Sequence, residues 1–262
     1  MKKVLVMSDL HCGHQVGLTP PDWQYIGGRD GSNKHKVAAT QRECWKFYID
    51  GIKRHGPFDV VVVNGDLIDG KGERSGGTEQ VTTDRNEQVD MACEAIREAT
   101  GTKAKLLVTY GTPYHTGKEE DFEKQIADKC GGRVEGMGNF YVEDVKFQVK
   151  HHVGSSNVPH GRHTAIARER MWDVLWNVEK WDREPSNIII RSHVHYFNFC
   201  GGPNWLGMTM PALQGLGSKY GVRQCSGVVD YGFVVFTING KQFSWTPHLL
   251  KFSAQAATVT RL

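Results

Sequence analysis

Short apolar runs in this chain give way, at their carboxyl ends, to carboxylates and imidazoles. Val4-Leu5-Val6-Met7 leads into Asp9 and His11, and the β-branched run Val60-Val61-Val62-Val63 leads into Asn64 and Asp66. Residues 105–109 lead into Gly111-Thr112-Pro113-Tyr114-His115. Val145, Phe147 and Val149 alternate up to His151 and His152, and Ile188-Ile189-Ile190 is followed by His193 and His195. An unbroken apolar run suits a strand covered on both faces, and ligand sites of α/β sheets collect outside the carboxyl ends of their strands. Five segments could therefore deliver acidic and imidazole side chains to one place.

The stretches between these runs read as helices. Residues 36–55 carry Cys44, Phe47, Tyr48 and Ile52 at helical spacing and stop at Gly56-Pro57. Strand, helix, strand makes a βαβ unit whose strands are parallel. Residues 84–100 read as a second helix ended by Gly101, and residues 118–129 as a third stopped by Gly131 and Gly132. Residues 163–181 read as a fourth helix. Residues 9–34 and 69–77 are polar and glycine-rich, and are expected as loops. From Leu206 onward the pattern is mostly β, with a hairpin turn at Asn239-Gly240. With no repeat, linker or low-complexity segment, residues 1–262 are expected to form a single domain.

Composition narrows the function classes. A net charge of +3 is too small to imply nucleic acid by itself. No apolar run is long enough for a transmembrane helix, and the Lys2-Lys3 start is broken at Ser8 and Asp9, so it reads as a first strand rather than a signal peptide. The six cysteines are scattered without a CxxC pair, which fits reduced thiols and a cytoplasmic location.

Each polar fragment alone has an ordinary reading: Asp-x-His as a helix cap, Asn-Gly-Asp as a turn, adjacent histidines as exposed strand ends. Their joint placement on five strand ends points instead to metal. His-x-His puts both rings on one face of an extended segment. Carboxylate oxygen with imidazole nitrogen suits Mn, Fe, Zn, Co or Ni, and no thiolate is needed, so Cys12 is left out. A carboxylate shared between two cations roughly 3.5–4 Å apart is a feature of two-metal hydrolases, and Asp66 is the expected bridge.

The ordered set Asp9-Leu10-His11, Gly65-Asp66, Gly111 onward, His151/His152 and His193-Val194-His195 resembles the calcineurin-like metallophosphoesterases. The resemblance implies an α/β fold, a four-layer α/β/β/α sandwich with two mixed β-sheets. It also implies two divalent metal ions, manganese first among the candidates, and hydrolysis of a phosphate ester by a hydroxide held between them. By position, Asp9, His11 and His195 would hold one metal and Asp66 would bridge. His193 with His151 or His152 would hold the other, His151 being preferred because it keeps the phase of Val145, Phe147 and Val149. Two departures stand out. Where the family has Gly-Asn-His followed by an acid, whose asparagine ligates the second metal and whose histidine protonates the leaving group, this chain has Gly111-Thr112-Pro113-Tyr114-His115. His115 could take over either the ligand or the acid role. Ser192 replaces the usual glycine before His193. The Gly-Thr-Pro-x-His variant is similar to phage-type and prophage-type members.

A phosphodiesterase acting on nucleic acid or a nucleotide is the first expectation. A phosphomonoesterase, and a metal-binding scaffold without turnover, are the alternatives. Asn157, His160, Arg162 and His163 lie beyond the histidine pair and could contact phosphate, with Lys71 and Arg74 closing from the glycine-rich loop. Trp172, Trp176 and Trp181 fall near helical spacing and are expected in the core rather than as a base-stacking platform.

Overall fold

The computed structural model describes residues 1–26, 33–116, 120–156, 158–181, 183–215, 217 and 229–252. In chain order the elements are β1 (Lys2–Met7), α1 (Asn33–His55), β2 (Val60–Asn64), α2 (Arg85–Thr100), β3 (Lys105–Thr109), the single turn α3 (Pro113–Thr116), α4 (Phe122–Lys129) and β4 (Arg133–Glu135). There follow β5 (Gly138–Val142), β6 (Val145–Val149), α5 (Gly161–Val174) with a wider π-helical extension Leu175–Lys180, β7 (Ile188–Arg191), β8 (Asn198–Gly202), β9 (Trp205–Thr209), β10 (Tyr231–Asn239) and β11 (Gln242–Leu250). One sheet has the order β11-β10-β1-β2-β3-β4 and the other β5-β6-β7-β9-β8. Both are mixed: β1, β2, β3 and β4 run parallel while β10 and β11 are antiparallel, and β6, β7 and β9 run parallel between antiparallel partners.

Strand periodicity decides which layer each side chain enters. Leu5, Met7, Val61, Val63, Leu106 and Val108 point outward and pack with Cys44, Tyr48 and Ile52 of α1 and with Val89, Ala92, Cys93 and Ile96 of α2. Their neighbours Val4, Val6, Val62 and Leu107 point the other way, against Val145, Phe147, Val149, Ile188, Ile190 and Met208 of the second sheet. On the far side of that sheet, Ala165 and Ile166 of α5 pack on Val194 and Tyr196. The layers are therefore helices, sheet, sheet and helix, as expected. A fully buried Val, Leu or Ile contributes about 1.5–3 kcal/mol, so the apolar strand runs suffice to drive the layering.

Helix ends follow their caps. Asp84 accepts a hydrogen bond from the Asn86 amide at 2.8 Å to start α2, and Asp121 accepts one from the Lys124 amide at 2.8 Å to start α4. The helix expected over 118–129 thus begins at Phe122, and residues 117–119 lie outside the described residues. Two strands escape sequence reading. β4 has three residues, and β8, Asn-Phe-Cys-Gly-Gly, is a largely exposed sheet edge with little apolar pattern.

The tryptophans correct the sequence reading. Trp172, Trp176 and Trp181 are 51%, 41% and 46% exposed instead of buried. The inward positions of this half of the helix are polar: Asp173 accepts from Gln148 at 2.8 Å, and Asn177 accepts from the Lys146 ammonium at 3.0 Å. Helical spacing cannot tell which stripe a helix turns inward when the sheet beneath it is itself polar.

Candidate metal centre

The ends of β1, β2, β3, β6 and β7 meet at one rim. The Asp9 amide donates to the Gly65 carbonyl at 3.1 Å, the His11 amide to the Asp66 carbonyl at 3.0 Å, and the Ser192 amide to the His151 carbonyl at 2.7 Å. Asn64 ties four strand ends together. Its amide group donates to Ser192 Oγ at 2.6 Å and to the Lys150 carbonyl at 3.2 Å, and its Oδ1 accepts from Thr109 Oγ1 at 2.7 Å.

The backbone here is strained. Asp9 (φ 51°), His11 (44°), Asp66 (50°), His193 (75°) and His195 (54°) all sit in the left-handed region, and Glu143 is the only other non-glycine to do so among the described residues. Such conformations cost on the order of 1–3 kcal/mol each and gather where a site over-determines them.

Two groups of ligand atoms result. Asp9, His11 and His195 form one, and Asp66, His151 and His193 the other, each with one oxygen or nitrogen per residue and all within 4.8 Å of one another. Asp9 Oδ1 is buried and accepts no hydrogen bond. It lies 3.1 Å from His195 Nε2 and 3.9 Å from both His11 Nε2 and His151 Nε2, so it touches both groups. His151 Nε2 is 3.0 Å from Asp66 Oδ2, while its Nδ1 donates to the Asn64 carbonyl at 2.7 Å. With Nδ1 committed to backbone, Nε2 is the atom turned to the site.

Electrostatics agree with a cation-binding role. Burial alone would raise Asp9 and Asp66, but the imidazoles of His195 and His151 outweigh it and hold both carboxyls below their usual range. Burial holds His11 down, and takes His193 to about 4, which keeps both rings neutral and able to ligate. His151 is the exception. Burial would lower it, yet the charges of Asp66 and Asp9 push it up to about 10. These donors, carboxylate oxygen and imidazole nitrogen without thiolate, fit a pair of divalent cations.

Solved structures share this architecture. A double mutant of Vps29 from Entamoeba histolytica superposes with a TM-score of 0.52 at 13% identity, covering 95% of this chain and 93% of that one. Vps29 from Chaetomium thermophilum gives 0.50 at 10% identity, over 97% and 93%. This chain shares the fold of Vps29, an α/β arrangement of two mixed sheets with helices. No protein-family model matches the sequence, and no curated protein sequence matches it.

Within this fold, the remaining expected residues are placed unevenly. His115 joins His11 and Asp69, not His151 and His193: its Nδ1 donates to the Asp69 carbonyl at 2.8 Å, and its ring meets that of His11 edge-on at 4.5 Å. His152 is exposed, in ring contact with His193 at 4.9 Å but in neither ligand group. His160 is exposed just before α5, and the Arg162 guanidinium lies 4.3 Å over the ring of Tyr196, next in sequence to His195. Asn157 and the side chain of Arg74 lie outside the described residues. Cys12 is in the apolar core and donates to the Leu18 carbonyl at 3.2 Å.

The two departures from the family pattern acquire partners. Thr112 donates through its amide to Asp66 Oδ1 at 2.6 Å and through its hydroxyl to both carboxylate oxygens at 3.0 and 3.1 Å. The Ser192 hydroxyl receives the Asn64 amide group described above. Sequence reading missed Asp69 and Glu123. Asp69 is buried, with Oδ1 2.9 Å from His11 Nδ1 and Oδ2 accepting from Gln80. An acid following apolar Leu67-Ile68 was its only sequence signal. Glu123 is buried beneath Gly111, whose amide is 3.4 Å from its Oε1, and nothing in its helical neighbourhood announces this.

Proposed function

We propose that this protein is a divalent-metal-dependent phosphoesterase whose substrate is a phosphodiester. One observation carries the reading: two adjoining groups of carboxylate and imidazole atoms, buried at the rim where both sheets end, on strained backbone. Asp9, His11 and His195 would hold one cation, and Asp66, His151 and His193 the other. The chemistry such a pair supplies is polarisation of phosphoryl oxygens and a lowered pKa of water, manganese being the first candidate.

The chain's own residues have distinct tasks in this reading. Asp69 orients His11 through Nδ1. Asn64 fixes His151 through its carbonyl. Thr112 holds the Asp66 carboxylate in one orientation. His115, with Nδ1 committed to the Asp69 carbonyl, would reach the leaving oxygen through Nε2, and would donate a proton there only as the imidazolium. Arg162, stacked on Tyr196 beside His195, and His160, just before α5, would meet the substrate's phosphate in this reading.

The test is an assay of metal-free protein on bis-p-nitrophenyl phosphate and p-nitrophenyl phosphate, with and without Mn, Zn, Co or Ni. Metal-dependent turnover that favours the diester is expected, and Asp66→Asn should reduce it by orders of magnitude. Preference for the monoester moves the assignment to a phosphomonoesterase. Stoichiometric metal binding without turnover on either substrate refutes the enzyme reading.

A further inference from the structure

The second half of the α5 helix and its π-helical extension carry an exposed apolar surface. Met171, Trp172, Leu175, Trp176, Val178 and Trp181 are 64%, 51%, 38%, 41%, 46% and 46% exposed. The π-helical extension brings residues five apart into line, and the Trp176 and Trp181 rings lie 5.5 Å apart at 32°. Beside this ridge runs an open groove of about 990 Å³ between the helix and β5, walled by the three indoles and by Met137 and Tyr141, with Lys146 and Gln148 of β6 on its floor. None of the Asp and His site residues lines it.

Burial and charge decide what fits. Exposed contiguous apolar surface of this size marks an interaction site, and Trp, Tyr and Met are the residues enriched in one. At up to about 250 Å² per indole, the three tryptophans alone leave on the order of 350 Å² in water. The aliphatic residues of the ridge with Tyr141 and Met137 roughly double that, which approaches the roughly 800 Å² per partner of a stable interface. A nucleic acid would need a surplus of unpaired cations. Here the groove's charges nearly cancel, Lys146, Lys150, Arg183 and Arg191 standing against Glu169, Asp173 and Glu184, and Arg191 pairs with Glu169 at 2.8 Å. An apolar ridge beside a nearly neutral groove offers each copy the complement of the other, as a two-fold contact requires.

We infer that this face is the interface of a homodimer, in which the α5 ridge of each copy enters the groove of the other with the tryptophans as anchors. The inference is independent of the reading of the metal centre.

Sedimentation velocity of the purified full chain from about 1 to 100 µM tests it, because a standard interface of this kind associates in or below that range. A dimer is expected. Met171→Glu, on a largely exposed residue, and Trp176→Ala should each raise the dimer dissociation constant by about 30-fold or more, the loss of one anchor. Far-ultraviolet circular dichroism and the melting curve control for folding, and tryptophan emission should shift to the red as the dimer dissociates. A chain that stays monomeric at the highest concentration overturns the inference without any variant. So does a dimer indifferent to both substitutions, or capture of a labelled single-stranded oligonucleotide that Trp176→Ala abolishes.

Discussion

His11 Nδ1 lies 2.9 Å from Asp69 Oδ1, and the same carboxylate is 3.5 Å from His115 Nδ1. One buried acid therefore stands behind both imidazoles. Its proximity to His11 holds the Asp69 carboxyl at about 2 although burial pulls the other way. Asp69→Ala is expected to weaken metal binding 10- to 100-fold, the usual cost of losing such a partner. Calorimetric titration of metal into the variant checks this, and unchanged affinity would remove Asp69 from the site.

Gly111 sits directly against Asp66. A Cβ built on it would lie 2.1 Å from Asp66 Oδ1 and 2.3 Å from the Asp66 amide. Gly111→Ala must push that carboxylate out of place. The variant should lose metal affinity and about 1–3 kcal/mol of stability, read from metal titration and urea unfolding. Wild-type values in both would show that the loop relaxes freely.

His151 makes metal uptake a proton exchange. Its pKa of about 10 in the metal-free protein means that the ring carries a proton at neutral pH. Ligation requires the neutral ring, so binding at pH 7 should release about one proton from this residue, and apparent affinity should rise with pH. Titration in two buffers of different ionisation enthalpy counts the protons. The same shift has a stability sign. Because the folded value is raised above the ordinary 6.5, the contribution is complete below pH 6.5 and is lost as pH rises through about 10. Metal-free protein should accordingly weaken over that window, and proton release of zero at pH 7 contradicts the assignment.

Glu123 gives a separable pH effect. Burial first, then the nearby charge of Asp66, pushes its carboxyl up to about 8. Raised above the ordinary 4.5, it stabilises fully below that pH and its contribution disappears as pH rises through about 8. Glu123→Gln stays neutral throughout. In metal-free protein the variant should match wild type near pH 4 and exceed it at pH 9 by on the order of 5 kcal/mol. Chemical denaturation at the two pH values measures the difference, and equal stability at pH 9 would mean that the acid is solvated there.

The strand runs, the βαβ unit and the candidate ligands could all be read from one dimension. Buried strands leave unbroken apolar runs, and chemistry at their ends leaves Asp and His beside them. Asp69, Glu123 and Thr112 could not, because each gains its meaning from a partner on another segment: His11, Gly111 and Asp66. The indoles of α5 show the same limit, since their spacing was legible but not the polar floor that turns them outward.

What the sequence by itself determined was the strand runs and the roster of candidate metal ligands, because both follow from residue type and local period; the four-layer arrangement was implied by the family resemblance. The tertiary structure sets His151, which strand phase favoured, against Asp66, and it alone decided that His115 stands with His11 and which helix stripe meets water. Those choices depend on backbone strain and contacts between distant segments, which no local pattern encodes.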